Sequence, residues 1–232
     1  MSERSRLCFG VMLAMVEPSA AALFYFVLLS GSRFAVMVFA AAKVFLLIWP
    51  ALAAKLLEKQ NFYPSKTDWS KHAKSIPLGA VSGLLMALVI LAGFQFTDLG
   101  GIVYQNSDVI RSKAKDMKII NHFLMFSLLI CLGHSLLEEY YWRWYVYGRL
   151  RKLVRPPVAY FGASLAFAGH HYIILGAFFS TGLTAALGTC VALGGGLWCW
   201  LFQRHNSIVG CWISHMMADG AIFYVGYQVI YS

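Results

Sequence analysis

Seven apolar stretches, separated by more polar connections, decide what this chain can fold into. They fall at approximately 8–30, 34–57, 76–97, 119–147, 158–180, 182–203 and 207–230. Each has the roughly 20 residues that a helix needs to cross a bilayer at about 1.5 Å per residue. Hydrocarbon offers no water to satisfy backbone N–H and C=O groups, so continuous helix is the conformation open to such a stretch. The expected fold class is therefore all-α, a polytopic membrane helical bundle of about seven transmembrane helices. Composition agrees: 59% of the 232 residues are hydrophobic, only 12% are charged, and the mean hydropathy is +0.65. Soluble domains carry roughly twice that share of charge.

A net charge of +9 raises the question of nucleic acid, but no basic stripe on a soluble domain exists to bind it. Lys and Arg lie mainly in the connections, and their asymmetry predicts orientation. With the N-terminus cytoplasmic, that side collects twelve, from Arg4 and Arg6 through Lys55, Lys66 and Arg149 to Arg204, against five on the other side, Arg33 and Arg111 to Lys118. The expected location is an integral, multi-pass position in the plasma (inner) membrane if the source is prokaryotic. Arg4 and Arg6 precede an apolar stretch without a convincing cleavage site, which reads as an uncleaved first helix. The five cysteines form no C-x-x-C pair and are expected to be small buried hydrophobes. Pro18, Pro50 and Pro77 are expected to interrupt or start helices, and Pro156-Pro157 to break the chain before the fifth span. Segment 58–75 reads as polar and interfacial, and 98–117 as the longest polar connection.

Charges inside the spans are the informative exceptions. The run Glu138-Glu139-Tyr140-Tyr141-Trp142-Arg143 places two carboxylates and a guanidinium in the fourth span. A charge at the centre of a bilayer costs from about 2.5 kcal/mol upward, so such residues need a function or a partner. Arg143 lies four residues beyond Glu139 and can meet it on one face. The fifth span carries His170 and His171, with Phe167 a turn before His171. The seventh carries His215 and Asp219, four apart and therefore on one face. Counted from the cytoplasmic ends of their helices, Glu138, His171 and His215 all lie roughly 12–20 Å deep. Antiparallel neighbours would thus bring a carboxylate and two imidazoles to one level, a polar active site inside the bundle.

Hydrolysis is the chemistry such a set supports. A partly buried carboxylate can take a proton from water, and an imidazole can share or relay it. Further polar groups can donate to the oxyanion of a tetrahedral intermediate. Glu139 and Arg143 would form a supporting ion pair rather than the reacting unit. His134, one turn before Glu138, is placed to tune it or simply to pack.

The motifs Glu138-Glu139-x-x-x-Arg143, Phe167-x-x-x-His171 and His215-x-x-x-Asp219, in that order and on separate helices, resemble the signature of the CPBP family. These are the type II CAAX prenyl endopeptidases and their bacteriocin-processing and immunity relatives, also called Abi proteins. The resemblance covers residues 120–230 and divides the chain into 1–118, N-terminal helices without matched motifs, and 119–232, the catalytic core. It implies a membrane-embedded peptidase in which Glu138 is the general base activating water, His171 assists, and His215 and Asp219 sit at the oxyanion site. Glu139, Arg143 and Phe167 match supporting positions. The family commonly has Asn where this chain has Asp219, and a carboxylate donates to an oxyanion only when protonated, so Asp219 can instead orient His215.

The function expected is an intramembrane endopeptidase cutting a peptide bond near the cytoplasmic face, without cofactor. Its partners would be a peptide or protein substrate, a prenylated or hydrophobic-tailed one being an option, and the lipid bilayer. One alternative is a zinc-dependent intramembrane metalloprotease, with Glu138 or Glu139, His171 and His215 as ligands, although no H-E-x-x-H is present. Another is a non-catalytic immunity or transport protein. Glu17 and Lys43 are unmatched ionisable residues within spans. His170 is expected to face away from the site, Gly194-Gly195-Gly196 to mark a close helix contact, and Trp142, Trp144, Tyr145 and Tyr147 to form an interfacial belt.

Overall fold

The computed structural model describes residues 2–59 and 69–232. Nine helices account for nearly all of these residues: α1 Glu3–Leu28, α2 Arg33–Leu56, α3 Trp69–Phe96, α4 Asp98–Gln105, α5 Ser107–Asp116, α6 Ile120–Leu153, α7 Pro156–Gly176, α8 Thr181–His205 and α9 Val209–Tyr231. No strand occurs among the described residues. Six helices, α1 to α3 and α6 to α8, are long and apolar enough to cross a membrane. The seventh expected span is α9, 23 residues long and made less apolar by His215, Asp219 and Gln228. The chain is a multi-pass helical membrane protein.

Local chemistry sets the helix limits. Ser32 Oγ accepts from Ala35 N–H at the start of α2, and Thr97 Oγ1 accepts from Leu99 N–H at the start of α4. Pro156 opens α7 at a position whose N–H would be unpaired anyway. Asn206 ends α8 in the left-handed region, φ 49°, which asparagine tolerates better than most residues. Pro18, Pro50 and Pro77 do not interrupt or start helices as expected but lie inside α1, α2 and α3. Neighbouring helices in a membrane protein re-satisfy the backbone groups a proline frees. The expected polar connection 98–117 is likewise largely helical, as α4 and α5. Of the interfacial segment 58–75, residues 60–68 lie outside the described residues, and Trp69 onward belongs to α3.

Two tight pairings frame the interior. α3 packs along α9, and α7 packs against both α8 and α1. At the α3–α9 contact a Cβ on Gly79 would lie 2.3 Å from Gly210 O, and one on Gly210 would lie 2.4 Å from Ser75 O. Ser75 Oγ accepts from Gly210 N–H (3.0 Å), and Ser82 Oγ donates to Ser214 Oγ (3.1 Å). Small residues and hydroxyls hold this pair because lipid gives no hydrophobic drive to helix association. Gly79→Ala is accordingly expected to force the two backbones apart and to cost about 1–3 kcal/mol, read as a lower thermal midpoint in detergent. The triple glycine behaves as expected: Cβ atoms on Gly195 and Gly196 would meet Phe167 and Tyr160 of α7 at 3.0 and 3.2 Å.

α6 runs through the middle and supplies the bulkiest buried side chains: Tyr141, Trp142, Arg143, Tyr145 and Tyr147. Trp142, Tyr145 and Tyr147 are each 1% exposed, so they are core residues and not the interfacial belt expected for them. Tyr141 Oη donates to Ala14 O (2.8 Å), tying α6 to α1. Of the cysteines, Cys131, Cys199 and Cys211 are buried as expected, whereas Cys8 and Cys190 are exposed; all five are free thiols. Apolar residues such as Leu84, Val89, Leu128 and Leu193 cover the outside, as a lipid-facing surface requires.

Candidate active site

α6 is not a uniform α-helix where it meets the site. Ser135–Glu138 is α-helical, and Leu129–His134 and Glu139–Tyr147 on either side of it are π-helical. Such widened turns are rare and occur often at functional sites. Glu138 and Glu139 stand at the junction. Consecutive helical residues point about 100° apart, so the two carboxylates, 3% and 0% exposed, meet different partners.

Glu138 faces imidazoles from three directions. His134 Nε2 and His170 Nε2 each lie 3.4 Å from its Oε1, and His215 Nε2 lies 3.7 Å from its Oε2. Glu139 is instead engaged on both oxygens. Its Oε1 accepts from His215 Nδ1–H at 2.7 Å, and its Oε2 lies 3.1 Å from Arg143 Nε. The guanidinium nitrogens find no hydrogen-bond partner among the described residues. The cation is held by its charge partner and by the faces of Phe167 and Trp198, 4.4 and 4.8 Å from its carbon, contacts worth about 2 kcal/mol when desolvated.

His215 is the hub between the two carboxylates. With Nδ1–H given to Glu139, its Nε2 is the nitrogen turned to Glu138 and to Asp219 Oδ1, 3.6 Å away. That separation is too long for a hydrogen bond, so Asp219 acts on His215 by charge. Trp198 stacks on the imidazole at 4.0 Å and is itself anchored by donating Nε1–H to Ser214 Oγ at 3.0 Å. The serine contacts between α3 and α9 thereby reach the site. Since Nδ1 already carries a proton, Nε2 can donate to an oxyanion only when the ring is an imidazolium.

His170 and His171 differ from expectation. His170 is 8% exposed, contacts Glu138, and lies parallel to Trp142 with ring centres 6.1 Å apart. It belongs to the site and does not face away. His171 is turned back onto its own helix, with Nδ1 3.2 Å from Phe167 O, and its ring centre lies 4.0 Å from that of His170. Glu138, His171, His215 and Asp219 are thus brought together with Glu139, Arg143, Phe167 and His134. Sequence reasoning missed His170 and Trp198. The adjacent-residue angle argued against His170, and Trp198 follows no motif on α8, an element that carries none.

The ligand atoms of Glu138, His170 and His171 lie within 4.8 Å of one another. Two imidazoles and a glutamate form the kind of donor set that catalytic zinc uses, so the residues fit a metal by type. His171 Nδ1 is occupied by the Phe167 carbonyl, leaving Nε2 as its free donor. The set differs from the expected one in having His170 where His215 was placed. A zinc held there would supply Lewis-acid activation of water.

A multi-pass helical membrane protein with a buried cluster of carboxylates and imidazoles between its helices is the class that fold and site define. Residues 120–221 match the family described as type II CAAX prenyl endopeptidase Rce1-like. That segment contains every member of the cluster, and over it the chain is similar to this CAAX-protease family of the CPBP type. No curated protein and no solved structure matches the chain.

Proposed function

We propose that the protein hydrolyses a peptide bond with water activated by Glu138, near the cytoplasmic face of the membrane. The observation that carries this reading is the unequal use of two adjacent carboxylates. Glu139 is committed to Arg143 and to His215 Nδ1, whereas Glu138 meets only imidazoles. An uncommitted buried carboxylate among titratable rings is the arrangement suited to taking a proton from water and passing it on.

In this mechanism water lies against Glu138, which takes its proton as the oxygen attacks the scissile carbonyl. His170 and His171 line the approach on α7 and can shuttle the proton toward the leaving amine. His215 as imidazolium, its charge offset by Glu139 and Asp219, donates Nε2–H to the oxyanion. Phe167 and Trp198 exclude water around Arg143 and keep the support fixed. The Lys and Arg asymmetry supports a cytoplasmic N-terminus, and the apolar exterior supports a substrate reached from the lipid, such as a peptide with a prenyl or other hydrophobic tail.

Zinc chemistry is the second reading, favoured by the grouping of Glu138, His170 and His171. Protein purified into liposomes and supplied with peptides carrying lipid or hydrophobic tails tests both. The expected result is site-specific cleavage that survives exhaustive chelation. Loss of cleavage on chelation with recovery on adding zinc would favour the metal, and failure to cut any member of a broad peptide library would count against hydrolysis.

A further inference from the structure

Lys43 on α2 is an ionisable group in an apolar span that the proposed chemistry leaves unused. Its Nζ lies 3.2 Å from His134 Nε2, and the same nitrogen lies 3.4 Å from Glu138 Oε1. A single ring nitrogen cannot accept from an ammonium and donate to a carboxylate at once. An ammonium has only donors, so its contact makes Nε2 the acceptor and leaves the ring proton on Nδ1. Arg143, the guanidinium of the cluster, is committed to Glu139. Glu17 on α1 is near enough to couple to Lys43 by charge, and one of its oxygens is buried without a hydrogen-bond partner among the described residues.

We propose that Lys43 is a positioning residue for the hydrolysis, acting on Glu138 through His134. It holds His134 in the tautomer whose Nε2 cannot donate to Glu138, so no N–H from that ring draws on the basicity with which the carboxylate takes the proton of water. It also sets a positive charge behind the ring, which offsets the burial of the ionised carboxylate. Without Lys43, Nε2–H can turn onto Oε1 and lower the basicity of the carboxylate that the reaction needs. The inference rests on Glu138 being the base, and it gives the N-terminal helices, which carry no catalytic motif, a part in the chemistry.

The test compares Lys43→Met, Lys43→Arg, His134→Phe and the Lys43→Met/His134→Phe double variant in the liposome cleavage assay, with Glu138→Gln alongside. Lys43→Met is expected to lower kcat roughly 10- to 100-fold, the influence of one nearby unit charge at an effective dielectric constant of about 20. KM should change little, Lys43→Arg should recover most of kcat, and the double variant should be no slower than the slower single one, because both act on the same contact. Lys43→Ala makes the same deletion if Lys43→Met does not accumulate. Wild-type kcat in either deletion, a change confined to KM, or additive losses in the double variant would overturn the proposal. If Glu138→Gln is inactive while the Lys43 variants are fully active, only the positioning role fails. If Glu138→Gln cleaves like wild type, the role of Glu138 fails as well.

Discussion

Replacing Glu138 with glutamine should all but abolish cleavage, with kcat falling about 10²- to 10⁴-fold, the usual contribution of a positioned general base. Glutamine keeps the shape of the side chain and can accept from an imidazole N–H, so the surrounding rings keep their packing. What it loses is the negative charge and the lone-pair basicity that let water give up a proton. Substrate should still enter, and KM should stay near its wild-type value. Equal thermal midpoints for the two proteins would show that the loss is chemical. Single-turnover cleavage of a tailed peptide is the measurement, and an active Glu138→Gln protein would reject this residue as the base. Glu139→Gln makes a useful contrast, since its carboxylate supports His215 and Arg143 and its loss should act on stability as well as rate.

The largest effect on folding is expected from Arg143→Met. Arg143 is 1% exposed and pairs with a carboxylate that is fully buried, so removing the cation strands Glu139 in the interior at a cost of about 3–5 kcal/mol. Methionine fills the slot between Phe167 and Trp198 but brings no charge to it. The consequence should be a collapse in accumulation and in thermal midpoint. Adding Glu139→Gln should recover part of this loss, because a neutral amide no longer needs a countercharge and can still accept from His215 Nδ1–H. A double variant as unstable as Arg143→Met alone would mean that the aromatic contacts of the guanidinium, and not its pairing with Glu139, set the stability.

Much of this protein is legible in its sequence because lipid simplifies the rules. All seven expected spans correspond to helices, since hydropathy and the need to satisfy the backbone leave few alternatives. Helical spacing also paired Glu139 with Arg143 and His215 with Asp219 correctly. The errors over aromatic residues share a cause: in lipid, apolar and aromatic residues look alike whether they face out or in. Trp142, Tyr145 and Tyr147 resembled a belt and are core, and Trp198 resembled any tryptophan on a span although it stacks on His215. His170 was misplaced because the angle between adjacent residues says that two side chains diverge without saying which one faces the site. Lys43 and His134 each stood out alone, but their pairing across α2 and α6 depends on helix order, which no local pattern encodes.

The π-helical stretch Glu139–Tyr147 bears on how the gene can change. A widened turn of this kind is an α-helix holding surplus chain, and everything beyond it is phased to that surplus. Losing one codon there would let the segment tighten toward ordinary α-helix with the remainder of α6 near its present phase, whereas tightening at unchanged length would swing Tyr147 and Leu150 off their core contacts by about 100° or more. Point substitutions can be sampled one at a time along this stretch. A loss of one residue is the change in length that such a stretch absorbs most readily, so descendants of this sequence should differ here by shedding the surplus before they shift the six residues beyond it.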